Sequence, residues 1–171
     1  MNIRLKTLWR VPVFCLAAGW AAFYITIYMN WFYVVKTTGP DGVIDASIDP
    51  IRSTLLDVGL FVLVLLIGGL WLFRSMTKAE IAVSAAIAAA LYLAVIIPEL
   101  IVPNCFFNFS PSLSVTLMEL QEWRTIISSF LWDLTNQIEI SAVLSCFAPF
   151  LFVPFGKRAI RQGDPGLTVE A

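Results

Sequence analysis

The chain has 171 residues, 59% of them hydrophobic and only 13% charged, with a mean hydropathy of +0.84. Soluble domains are about 45–50% apolar and about 25% charged, so this composition excludes an ordinary soluble domain and makes lipid the expected solvent. The net charge of −1 with no basic stripe excludes a nucleic-acid partner, and the absence of histidine removes the commonest general base and metal ligand.

The three cysteines, Cys15, Cys105 and Cys146, form no CxxC pair, so neither a zinc site nor a dithiol redox site is expected. Cys15 and Cys146 lie in apolar runs and read as small hydrophobes. No cofactor and no metal are expected.

Arg4, Lys6 and Arg10 precede an apolar run over residues 11–35. The start mimics a signal peptide, but the run continues well past any small-residue cleavage site, which suits an uncleaved spanning helix. Its far end carries Tyr24, Tyr28, Trp31, Phe32 and Tyr33, an aromatic belt of the kind that sits at a membrane interface. Residues 36–54 read as an external loop with a Gly39-Pro40-Asp41-Gly42 turn signal. Its Asp41, Asp45 and Asp49 do not follow the spacing of a calcium loop. Asp49-Pro50 reads as an N-cap followed by proline at the first helical position.

The second span is expected over residues 55–73, closed by Arg74 and Lys78, and forms a tight hairpin with a third span over 81–100. In the third, Ala82, Ala86, Ala90 and Ala94 recur every fourth residue, a line of small side chains that predicts close helix packing. Pro98 should kink this helix and Pro103 should stop it. Residues 101–135 read as an external loop plus an amphipathic helix. From Leu117 to Ile138, Glu119, Glu122, Thr125, Ser129, Asp133, Asn136 and Gln137 share one sector, with Leu120, Trp123, Ile127, Phe130, Leu131, Leu134 and Ile138 opposite. Lying on the outer surface is the expected placement, with a bend before a fourth span over 136–155 that is kinked at Pro149. A short polar tail, 156–171, follows.

The expected fold is therefore all-α: a single membrane domain over 1–171, made of a four-transmembrane-helix bundle with an external interfacial amphipathic helix before the last span. Arg4, Lys6, Arg10, Arg74, Lys78, Lys157, Arg158 and Arg161 fall on one side, against Lys36, Arg52 and Arg124 on the other. Under the positive-inside rule this puts both termini in the cytoplasm, and the plasma membrane is the expected location.

No nucleophile elbow, P-loop or HExxH occurs, and Glu119, Glu122 and Asp133 read as a solvated helix face, so an enzyme is not expected. Counting one span, about 20 residues, outward from each basic stop brings Asn30, Asp57, Glu99 and Glu139 to a similar outer depth. If they converge they form an acidic mouth suited to a proton or cation. Two functions follow. The first is a non-catalytic accessory, assembly or scaffold protein acting through helix packing, as a homo-oligomer or within a larger membrane complex. The alternative is a small cation or proton transporter using the outer-mouth residues.

Overall fold

The computed structural model describes residues 7–38 and 44–157. Arg4, Lys6, the Gly39–Gly42 turn signal with Asp41, Arg158, Arg161 and the expected polar tail beyond Arg158 lie outside the described residues. The described chain is mostly helical, and four of its helical segments are long and apolar enough to cross a membrane: Arg10–Tyr28, Pro50–Leu72, Lys78–Ile101 and Ile138–Phe155.

Helix α1 (Arg10–Tyr28) stops earlier than residue 35. A one-turn helix α2 (Asn30–Tyr33) follows, and the chain then enters strand β1 (Val34–Thr38), paired antiparallel with β2 (Ile44–Ile48) in the register Val34↔Ile48 to Thr38↔Ile44. The expected external loop thus contains a hairpin, and the fold is not purely α. Val34, Val35, Thr37, Thr38 and Ile48 explain it: β-branched side chains favour the pleated conformation.

Helix α3 (Pro50–Leu66) starts at the expected cap, where the Asp49 carboxylate accepts from the Ile51 and Arg52 N–H groups at 3.0 and 3.3 Å. Its last turns, Ile67–Leu72, widen into a π-helix. Gly68 lies there, where a Cβ would stand 2.6 Å from the Phe152 ring and 2.7 Å from the Phe14 ring. Helix α4 (Lys78–Ile101) opens with a reciprocal box: Thr77 Oγ1 accepts from the Glu80 N–H, and the Glu80 carboxylate accepts from the Thr77 N–H. Pro98 is accommodated inside α4, which ends at Ile101 before Pro103.

A short α5 (Cys105–Phe109) leads into α6 (Pro111–Thr135), which begins six residues before the amphipathic pattern does. Asn136 takes the left-handed conformation, φ 53°, and separates α6 from α7 (Ile138–Ser145). The chain then narrows into a 3-10 helix over Ala148–Phe155, so the fourth apolar segment is composite, with Pro149 and Pro154 in its second half.

Arg10, Arg74, Lys78 and Lys157 gather at one end. Arg10 donates to Ser75 Oγ at 3.2 Å, and the Lys78 N–H donates to the Lys157 carbonyl at 3.1 Å. The hairpin and Arg52 belong to the opposite end.

The core is built on α6. This helix packs most extensively against α1. Gly19 is the reason: its Cα faces the Leu120 carbonyl so closely that any Cβ would overlap it. Trp123, fully buried, stacks on Phe152 with centroids 5.6 Å apart and on Phe61 at 6.5 Å. Phe14 and Phe73 complete the cluster edge-on, at 5.0 to 5.7 Å. Offset and edge-to-face pairs of this kind contribute about 0.5–1.5 kcal/mol each beyond area burial.

Gly19→Ala should therefore destabilise the protein by about 1–3 kcal/mol, the usual cost of forcing atoms into a filled interior. Gly59→Ala should not, because nothing lies within 4 Å of a Cβ there. Thermal unfolding in detergent, followed by tryptophan fluorescence, separates the two; equal midpoints would contradict the close approach.

Candidate functional site

The four outer-mouth residues occupy different surroundings. Asn30 is exposed at the start of α2 and lines a groove with Trp31, Val34 and Lys36. Glu139 is exposed in the first turn of α7. Asp57 is half-buried on α3. Glu99, near the end of α4, accepts from the Phe106 N–H at 2.9 Å and so ties α5 to α4. Glu99 lines a cavity of about 510 Å³ that none of the other three lines.

The alanine line has an unexpected orientation. Ala86, Ala90 and Ala94 are exposed and Ala82 is half-exposed, whereas the face of α4 that packs inward carries Ile81, Ser84, Ala85, Ala88, Ala89 and Tyr92. Alanine occurs on nearly every side of this helix, so the four-residue repeat does not identify which side is covered. Ser84 ties the inner face to α1, accepting from the Val11 N–H at 3.3 Å and donating to the Leu8 carbonyl.

The most unusual chemistry lies on α6. Gln121 and Arg124 belong to neither the polar nor the apolar sector of the helix, and each is only 7% exposed. Arg124, expected on the solvated outer side, instead points into the protein. Its Nη1 donates to Ser145 Oγ at 2.8 Å and to the Ala142 carbonyl at 3.3 Å. That carbonyl also accepts from Ser145 Oγ at 2.7 Å and from Cys146 Sγ at 3.3 Å. The convergence has a backbone cause. The Cys146 N–H bonds to Val143 rather than Ala142 as the helix tightens, so the Ala142 carbonyl loses its helical donor.

Arg124 has no carboxylate within ion-pair distance; the ion pair between described residues is Arg52–Asp49, at 3.3 Å. Arg124 Nε, Gln121 Oε1 and Trp123 Nε1 are buried without a hydrogen-bond partner among the described residues. Gln121 and Arg124 line the same cavity as Glu99, together with half-buried Glu122. Its walls include Val95, Ile96, Phe106, Phe107, Leu117 and Met118. Burial pushes the Glu122 carboxyl up from its ordinary range, nearby Asp57 adds to this, and Arg124 opposes it.

The site is therefore an apolar chamber with a guanidinium, an amide side chain and two carboxylates among its lining residues. Sequence reasoning did not find it. The available signal was Gln121 and Arg124 three residues apart, flanking a tryptophan, inside an otherwise well-divided amphipathic helix. Among the described residues no group of three or more metal-ligating side chains occurs.

Ser145→Ala removes one acceptor from Arg124 and one donor from Ala142, and should cost about 1–3 kcal/mol, as for a buried group left short of partners. Ser129→Ala, whose exposed hydroxyl donates only to Thr125 within its own helix, should cost less than about 0.5 kcal/mol. Chemical denaturation in mixed micelles measures both, and equal midpoints would remove the structural role given to Arg124. Comparisons with protein-family models, with characterised proteins and with solved structures find no match for this chain.

Proposed function

We propose that the protein is a multi-pass protein of the plasma membrane, with both termini cytoplasmic, that acts without catalysis by packing one of its helices against a partner. Membrane insertion is supported by the four long apolar segments and by the apolar surface they present: Leu55, Val62, Leu66, Leu70 and Trp71 along α3 are all exposed. An exposed surface of that kind is not tolerated in water. The orientation is supported by the basic residues gathered at one end, Arg10, Arg74, Lys78 and Lys157.

The observation that carries the packing role is the outward-facing alanine line. In lipid there is no hydrophobic drive between helices, and small residues matter because they let two backbones approach. A helix facing only lipid tails gains nothing from alanine over leucine. Ala86, Ala90 and Ala94 form a shallow track on the exposed side of α4, shaped for a helix of a second copy or of another membrane protein.

The transporter reading has less support. Glu99 is engaged by a backbone N–H, Asn30 and Glu139 are exposed, and the cavities lined by Glu99 and by Asn30 are separate.

In a Cys105→Ser background, Ala86→Cys and Ala90→Cys should form an oxidative cross-link in native membranes, either to a second copy or to a single heavier partner. Val62→Cys, exposed on α3 rather than on α4, should cross-link far less. Uniform absence of adducts, with monomeric migration on native gels, would remove the packing role. Orientation is tested separately: Ala46→Cys should react with an impermeant thiol reagent added outside intact cells, and Ser75→Cys should not. The reverse pattern would invert the topology.

A further inference from the structure

The chamber beside α6 combines features that lipid-facing packing alone does not require. Arg124 uses one guanidinium nitrogen on Ser145 and Ala142, and its side chain lines the chamber. Arginine carries five N–H donors in a planar fork, a geometry that matches phosphate. Beside it, Glu122 and Glu99 bring negative charge to the same lining, Glu99 with one oxygen held by the Phe106 N–H. A simple anion would satisfy the guanidinium but would meet two carboxylates. A simple cation would satisfy the carboxylates but would meet the arginine. The lining is complementary to a head that carries both signs, with N–H donors on its positive end.

The walls decide what is attached to that head. Phe106, Leu117 and Met118 line the chamber, which lies where α4 gives way to α5, near the end of an apolar membrane-length helix. Its volume of about 510 Å³ is that of a ligand pocket. We infer that this cavity holds the head of a zwitterionic phospholipid, its phosphate on Arg124 and its primary ammonium on Glu122, with the acyl chains leaving along the apolar wall. The inference rests on the membrane reading above but not on the alanine track of α4, and the labelling of Ala46 and Ser75 variants tests that reading on its own.

The experiment is native mass spectrometry of the full chain in detergent. It is titrated with phosphatidylethanolamine, phosphatidylglycerol and phosphatidylcholine of identical acyl chains, and with glycerophosphoethanolamine, the head without its tails. Phosphatidylethanolamine should bind about tenfold or more tighter than the other three, the value of one charge-assisted hydrogen bond. Phosphatidylglycerol lacks the ammonium, phosphatidylcholine lacks its N–H donors, and the free head lacks the apolar contact. Arg124→Gln should weaken binding of phosphatidylethanolamine by about tenfold or more on the same grounds. Glu122→Gln should bring phosphatidylethanolamine and phosphatidylglycerol to about equal affinity while binding is retained. Should Arg124→Gln not fold, judged by circular dichroism and size exclusion, Glu122→Gln decides alone. Equal affinity of the parent for the three lipids, or unchanged selectivity in Glu122→Gln, overturns the proposal. Binding of the free head as tight as that of the lipid overturns the lipid assignment.

Discussion

The rest of the structure depends on one close approach. At Gly19 the backbone of α1 comes against the Leu120 carbonyl with no room for a side chain between them. That contact seats α6 against α1, and only a helix so seated can place Trp123 among Phe14, Phe61, Phe73 and Phe152. Those rings come from α1, α3, the turn after α3 and the 3-10 segment, so a single tryptophan joins pieces separated along most of the chain. Aromatic rings suit this task because they fill volume and still interact directionally through edge and face.

Trp123 also explains its neighbour. Arg124 is one residue on, about 100° around the helix, and the same seating turns it toward α7. A buried guanidinium is costly in a low-dielectric interior unless its donors are engaged. Here the cost is offset by a carbonyl that is itself short of a donor. The Ala142 carbonyl is stranded where α7 tightens toward the 3-10 segment, and Arg124 and Ser145 supply it. Arginine and helix break thus support each other, with the Ser145 hydroxyl and the Cys146 thiol donating to the same carbonyl. The short helix α7 and the proline-containing 3-10 segment after it are stabilised in part by a charge from a different helix.

Much of the fold was legible in the residues because its determinants are local. The four apolar segments follow from hydropathy, the start of α3 from Asp49-Pro50, and the break before α7 lies at Asn136, where the amphipathic pattern gives way to the last apolar run. The hairpin over Val34–Ile48 was missed because a loop-like composition and a turn signal outweighed a short run of β-branched residues. The inward packing of α6 was not legible for a different reason. Its hydrophobic face is clear, but whether such a face meets headgroups or other helices depends on what it packs against, and the decisive partner, Gly19, lies about a hundred residues away. Gln121 and Arg124 were invisible for the same cause. A polar residue between two sectors of a helix reads as surface until the neighbouring helices are in place. The outer-mouth residues were selected by depth alone, and depth does not specify direction around a helix: Glu99 turned toward the α6 chamber while Glu139 stayed exposed.

Large apolar side chains lie both inside and outside this protein: Trp123, Phe73, Phe152, Met76 and Ile81 are fully buried, whereas Leu66, Leu70 and Trp71 are exposed. In water, burying apolar area drives assembly, and polar groups are left outside. In a bilayer large apolar side chains lose little by facing outward, and the membrane placement proposed above accounts in this way for Leu66, Leu70 and Trp71. What selects the interior is then the capacity for close contact and for hydrogen bonds that lipid cannot provide. Ser84, Ser141, Ser145, Gln121 and Arg124, with Ala85, Ala88 and Ala89, fit that requirement and lie inside beside the aromatic core around Trp123. By the same rule, small residues on the outside and unpartnered donors on the inside are both departures from a finished structure. With the membrane placement proposed above, the outward alanines of α4 forgo contact area with lipid, and the Arg124 guanidinium engages only one of its nitrogens among the described residues. Each departure makes physical sense when the missing group comes from another molecule: a helix for the first, and the head of a lipid for the second.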